Sequence, residues 1–191
     1  MSSLKLEIAQ DPPFSSPEEE ALLNLMRTSD CLQRAFHLKT RNWGVTSTQY
    51  NVLRILRGAH PKGLTCSAIG SRMIAAEPDI TRLLARLKAL KLVRRLRDRH
   101  DRRIVWTQIS DSGLDLLRQM DPDILEVPKD LLGHLQAREL SELIRLLEIA
   151  RQSCYGPDMP VSCDGADGAE AAPAKRPESC ELPAPRLRPP E

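Results

Sequence analysis

From Pro17 to about Ser153, apolar side chains recur every three to four residues, the period of helices with one face turned to a core. Pro17 followed by Glu18, Glu19 and Glu20 predicts a helix start, with proline in the first turn and acids at the positive end of the dipole. Leu22, Leu25, Met26, Leu32 and Phe36 mark one face of that helix. Thr46 and Gln49 have capping-box spacing before Tyr50, Val52, Leu53 and Leu56, and Gly58 ends the segment. Thr65 caps a short helix through Ile69 and Met73. Glu77, Pro78 and Asp79 open the next, with Ile80, Leu83, Leu84, Leu87 and Leu90 inside. The period then changes: residues 92–96 and 103–109 read as two strands, with 98–102 as a polar hairpin loop. Ser110 caps a helix carrying Leu114, Leu117 and Met120, which Pro122 and Pro128 are expected to interrupt. A last helix, from about Gln136 to Ser153, holds Leu140, Leu143, Ile144, Leu147 and Ala150 on one stripe.

A short helix, a turn and a second helix make a helix-turn-helix, and a β-hairpin directly after it makes a winged helix. The expected class is therefore mainly α: a helix-turn-helix at about 65–90, a two-stranded wing at about 92–109, and flanking helices at about 17–40 and 111–154. Six aromatics among 191 residues agree, because strands favour aromatic and β-branched side chains. Residues 1–16, with Pro12, Pro13, Ser15 and Ser16, read as a flexible leader. Eight of the fifteen prolines follow Gly156, and 155–191 reads as a disordered tail with too little apolar surface to offset its ordering entropy.

Charge adds what the period does not show. The tail from Gly156 carries a net −3, which leaves +5 on the rest of the chain. Residues 82–103 alone hold ten Lys and Arg against Asp98 and Asp101, near +8. A basic cluster on one helix and its hairpin is the electrostatic footprint of a nucleic-acid binder. With Ile80, Leu83, Leu84 and Leu87 inward, the helix turns Asp79, Thr81, Arg82, Ala85, Arg86 and Ala89 outward. Arg82 and Arg86 lie one turn apart, and each could give guanine O6 and N7 a bidentate bond. Asp79 could accept from cytosine N4 or orient Arg82, and Thr81 suits a phosphate or a thymine methyl. Thr65 and Ser67, at the start of the preceding helix, are further DNA-contact candidates. Arg97, Arg99, Arg102 and Arg103 on a thin hairpin suit the minor groove, where negative potential is enhanced. Asp98 and Asp101 are assigned to orient the wing by pinning arginine side chains. In a regularly alternating hairpin, one of Arg102 and Arg103 would turn inward toward such a carboxylate.

Other chemistries find little support. The start of the chain lacks the apolar run of a signal peptide, and no segment approaches the ~20 apolar residues of a membrane helix. A cytoplasmic location with reduced cysteines is the expectation. Cys31, Cys66, Cys154, Cys163 and Cys180 show no zinc-type spacing, and His37, His60, His100 and His134 form no triad. There is neither a Gly-rich phosphate loop nor a nucleophile elbow. No catalytic residue, metal or cofactor is assigned.

Six segments taken together resemble the MarR-type winged-helix transcriptional regulators. They are Val45-Thr46-x-x-Gln49-Tyr50-x-Val52-Leu53, Gly63-Leu64-Thr65, Thr81-Arg82-Leu83-x-x-Arg86-Leu87, Leu92-Val93-Arg94-Arg95, Asp101-Arg102-Arg103 and Ile109-Ser110-x-x-Gly113. The resemblance covers roughly 17–153. It implies a homodimer built by the first and last two helices, a recognition helix at about 78–90 and a wing at about 92–109. It also implies a pocket between the dimer region and the DNA-binding lobe, hence a small-molecule effector, and a repressor acting on double-stranded DNA at an inverted-repeat operator. Two departures stand out: Lys91 where the family usually has glycine, and Ile109-Ser110 where Leu-Thr is common. The dimer also has independent support, since the outer helices carry more apolar surface than a monomer of this size can bury. Two other classes stay open. A winged helix used for protein contact would not need ten basic residues around helix and wing. A thiol-based redox regulator would need a reactive cysteine such as Cys31, which lies about half-way along its helix.

Overall fold

The computed structural model describes residues 3–154, and its helices begin where the chain supplies caps. Helix α1 (Ser3–Glu7) lies inside the leader that composition predicts to be flexible. Its Leu4 is only 3% exposed, and Glu7 pairs with Arg27 of the next helix, so one apolar contact and one ion pair dock a segment too short to show a period. Helix α2 (Pro17–Arg41) is capped by Ser16, whose Oγ accepts the Glu19 N–H at 3.2 Å. Glu19 in turn accepts from the backbone and hydroxyl of Ser15, and these bonds hold its carboxyl below the usual carboxylate range. Thr46 and Gln49 close a reciprocal capping box on α3 (Ser47–Gly58). Thr65 caps α4 (Cys66–Gly70), and Asp79 caps α5 (Ile80–Ala89). The strands β1 (Val93–Arg97) and β2 (Val105–Ile109) pair antiparallel, with Val93 opposite Ile109 and Arg97 opposite Val105. Ser110 caps α6 (Asp111–Leu132), and α7 (Ala137–Gln152) follows a short turn. The expected tail lies outside the described residues.

The core joins α3, α4, α5, both strands and the first half of α6: Val52, Leu53, Leu56, Ile69, Leu84, Leu87, Leu117 and Met120 are fully buried. Helix α2 lies across α3 and α6, with Phe36 edge-on to Tyr50 at 5.6 Å between ring centroids. Leu64 extends the hairpin by bridging Thr107. This close pass requires glycine at position 63: its φ is +79°, and a Cβ would stand 2.4 Å from the Thr107 carbonyl oxygen.

Three details differ from expectation. Pro122 and Pro128 do not interrupt the chain, and α6 runs through both. Leu117, Met120, Ile124 and Val127 form its buried stripe, whereas both proline rings are exposed and stay clear of the packed face. Leu90 is exposed rather than inside, because α5 ends at Ala89 and the chain turns away there. The second strand starts at Val105 instead of Arg103, since a turn closed by Asp101 and Ile104 occupies the preceding residues. As their apolar stripes lead one to expect, the outer helices leave open surface that a single chain of this size is unable to bury. Leu22 and Met26 are 58% and 60% exposed, Leu32 and Phe36 are half-buried, and α7 has no buried residue at all.

Lys91 keeps the geometry that glycine normally supplies. It sits at φ +60°, its N–H donates to the Lys88 carbonyl at 2.9 Å, and the Leu92 N–H donates to the Leu87 carbonyl at 3.0 Å. This is the left-handed helix stop in which a lysine Cβ is strained. Lys91→Gly is therefore expected to raise stability by about 0.5–1 kcal/mol, the strain relief less the extra unfolded-state freedom of glycine. Chemical denaturation checks this; a loss of stability would mean that the lysine side chain holds the turn.

Candidate nucleic-acid interface

Two elements present the basic cluster. Helix α5 buries Leu83, Leu84 and Leu87 and half-buries Ile80, which leaves Thr81, Arg82, Ala85, Arg86 and Ala89 exposed as its periodicity requires. Among the described residues, no carboxylate pairs with Arg82 or Arg86. Both line an open cleft of about 420 Å³ with His37 of α2, Thr46 to Thr48 at the start of α3, and Glu77. Asp79 Oδ1 accepts the backbone N–H of Arg82 at 2.9 Å, so the carboxylate caps α5, and among the described residues it makes no ion pair with the Arg82 guanidinium. Thr65 is likewise a cap, accepting the Ala68 N–H at 3.3 Å, with its Oγ1 3.1 Å from Ser67 Oγ. Ser67 is exposed, and Thr81 Oγ1 lies 4.0 Å from Cys66 Sγ across the helix-turn-helix.

In the wing, the two aspartates order the loop through its backbone, not through arginine side chains. Asp98 Oδ1 accepts the N–H groups of His100 and Asp101 at 2.8 and 3.1 Å, while Oδ2 accepts the Trp106 indole N–H at 2.9 Å. The indole bond, followed by the two backbone bonds, lowers the Asp98 carboxyl to about 2. Asp101 Oδ1 accepts the Arg103 N–H at 2.9 Å. Arg97, Arg99, Arg102 and Arg103 are all exposed, and none has a carboxylate partner among the described residues. Neither Arg102 nor Arg103 turns inward, because both lie in the turn, where strand alternation does not apply. Two other members of the cluster are diverted: Arg94 pairs with Asp111 at 3.1 Å, and Arg95 is half-buried with its Nε wholly so. The Trp106–Asp98 bond escapes sequence reasoning, although the outward position of Trp106, directly opposite Leu96, follows from register once the hairpin is aligned.

The wing should therefore depend on acid in a defined direction. Asp98 titrates lower in the folded hairpin than its usual 3.8, so its ordering effect is complete above that value and is lost as pH falls toward about 2. Tryptophan emission and amide exchange at His100 and Asp101 should loosen over that interval. Asp98→Asn should abolish the pH dependence; an unchanged profile would mean that Asp98 does not hold the turn.

Comparison with known proteins agrees with this geometry. The sequence model of the MarR family matches residues 43–104. The crystal structure of a MarR transcription factor from Planctomyces limnophilus is 40% identical, covers 72% of this chain and 99% of its own, and superposes with a TM-score of 0.56. The transcriptional regulator TtmR of Methylorubrum extorquens is 32% identical over 119 residues, which are 62% of this chain and 60% of that regulator. Sco3205 of Streptomyces coelicolor, a MarR family regulator solved in complex with DNA, shares the fold at 17% identity, with a TM-score of 0.68 over 80% of this chain and 98% of its own. The architecture is a winged helix-turn-helix with flanking helices, the class to which transcription factors of this type belong. The chain belongs to the MarR family of transcriptional regulators, whose members named here are transcription factors and not enzymes.

Proposed function

We propose that this chain is a sequence-specific regulator of transcription that binds double-stranded DNA as a homodimer, with α5 in the major groove and the wing in the flanking minor groove. The observation that carries this reading is the set of exposed arginines that have no acidic partner among the described residues: Arg82 and Arg86 on one face of α5, and Arg97, Arg99, Arg102 and Arg103 around the wing. Ion-paired surface arginines would have little left to offer phosphate; these keep their full donor capacity. Ser67 and Thr81 flank the same surface and supply neutral phosphate contacts. Thr65, Asp79, Asp98 and Asp101 act indirectly, by fixing helix starts and the wing turn.

The homodimer reading rests on the apolar surface left open by residues 17–154: Leu22, Leu25 and Met26 on α2, and Ile144, Leu146 and Ile149 on α7. Two-fold pairing of these helices would cover it and set two recognition helices against an inverted-repeat operator. Occupying a promoter in this way excludes polymerase, which makes repression the simplest outcome. The cleft between α2, α3 and α5 suits a small effector, since anything seated against Arg82 and Arg86 alters the base-reading face. Effector control has parallels in more distant members: BpsR of Bordetella bronchiseptica is regulated by 6-hydroxynicotinic acid, at 23% identity. No described helix is long and apolar enough to cross a membrane, and in bacteria, the source of the relatives named above, the DNA such a chain would bind lies in the cytoplasm.

The test is fluorescence anisotropy with a mixed-sequence duplex and with duplexes selected from a random pool, at several salt concentrations. Binding should fall linearly on a log–log salt plot, with a slope near −0.9 for each phosphate contacted, and selected duplexes should bind at least about 10³-fold tighter. A chain that binds neither duplex at low salt is not a DNA-binding regulator, and the protein-contact reading of the winged helix would replace it.

A further inference from the structure

The wing carries an apolar face that its arginines do not explain. Strand register places Leu96 directly opposite Trp106, on the side of the hairpin away from buried Val93, Thr107 and Ile109. Leu96 is 48% exposed, Ile104 at the end of the turn is 37% exposed, and Trp106 is half-buried. None of the three belongs to the core or to the group packed against it. The Trp106 indole is tied to Asp98 across the turn, so the ring is held in place and little side-chain freedom remains to be lost on contact. Arg97 follows Leu96 on β1, and Arg99, Arg102 and Arg103 lie in the turn between Leu96 and Ile104; all four are exposed and have no carboxylate partner among the described residues.

Exposed cationic side chains next to a small, rigid apolar face match a surface that is itself apolar between two rows of negative charge. The minor groove of DNA has that form, with deoxyribose C–H walls lined by phosphates. We infer that Leu96, Ile104 and Trp106 form a contact surface that lies against the sugar wall of the minor groove while the neighbouring arginines take the phosphates. The inference rests on the DNA-binding reading above and adds to it a salt-independent part of the wing's affinity. Arginine contacts release counterions and weaken with salt, whereas burial of apolar side chains does not.

The experiment measures affinity of the full chain for a labelled mixed-sequence duplex of about 30 base pairs, long enough for two half-sites one helical turn apart. Leu96→Ser and Ile104→Ser are each expected to weaken binding about five- to tenfold, from the apolar area involved. The salt slope should stay at the parent value, and the thermal midpoint should hold. Arg102→Ala, in contrast, should flatten the slope. A second readout uses Trp43→Phe, which leaves Trp106 as the only tryptophan of the two in the chain. Saturation with duplex should shift its emission to the blue and protect it from acrylamide. The inference is overturned if both serine variants bind like the parent, if Trp106 stays equally quenchable at saturation, or if the serine variants change the oligomeric state and leave affinity untouched, which would assign the face to protein contact. A parent chain that binds the duplex while its serine variants match it defeats this inference alone; a parent that binds no duplex defeats the DNA-binding reading as well.

Discussion

Leu22→Glu combined with Met26→Glu is expected to yield a monomer that is still folded. The two positions are one turn apart on α2 and more than half exposed within the single chain, so in an isolated protomer the new carboxylates sit in water and cost little. In a homodimer paired through α2, each would be buried against apolar surface without a partner, at a cost of several kcal/mol, and two-fold symmetry doubles every loss. The dissociation constant should rise at least about 100-fold. Sedimentation velocity measures the mass, and circular dichroism confirms that helix content is retained. DNA affinity should fall with the dimer, since two half-sites then no longer act together. A double variant that remains a dimer at the parent's concentration range would remove α2 from the interface and leave α7 as the candidate face.

Arg86→Ala and Arg102→Ala should fail in different ways. Arg86 projects from the base-reading face of α5 and has no acidic partner among the described residues. Its loss should cost about 1–3 kcal/mol on a selected duplex and much less on a mixed-sequence one, which narrows the difference between them. Arg102 lies in the wing turn. Its loss should weaken both duplexes alike and reduce the salt slope by about one. Thr81 and Arg82 border Arg86, so their variants belong in the same comparison, where close neighbours need not add. If Arg86, Arg102 and Arg103 all prove neutral on both duplexes, the interface has been assigned to the wrong surface.

The order of elements was legible in the amino-acid sequence because its signals are local. Thr46 with Gln49, Thr65 and Ser110 are caps that act within one helical turn, and each caps a helix in the structure. The spacing of Leu83, Leu84 and Leu87 alone turns Arg82 and Arg86 outward. Where several signals compete, the local reading is less complete. Pro122 and Pro128 are strong helix breakers in isolation, yet α6 passes through both. The buried stripe from Leu117 to Val127 holds α6 continuous across both prolines, and that packing exists only in the closed fold. Leu4 shows the same limit, since its burial needs a surface distant in sequence.

The chain by itself determined the winged helix-turn-helix, the basic helix and hairpin, and which residues of that helix face outward, because period, capping and net charge are properties of neighbouring residues. Tertiary structure decided how the polar groups are spent. Asp79 and Asp98 carry the same charge as any phosphate-repelling carboxylate; the sequence places Asp79 at a helix start, but only the fold shows its carboxylate taken by the Arg82 N–H and Asp98 holding Trp106 and two backbone N–H groups. It also removed Arg94 to an ion pair, left the wing arginines without an acidic partner among the described residues, and brought Leu96 opposite Trp106. The physical reason is range: a hydrogen bond or a cross-strand contact needs two groups within a few ångströms, and for residues far apart in the chain only the closed fold sets that distance.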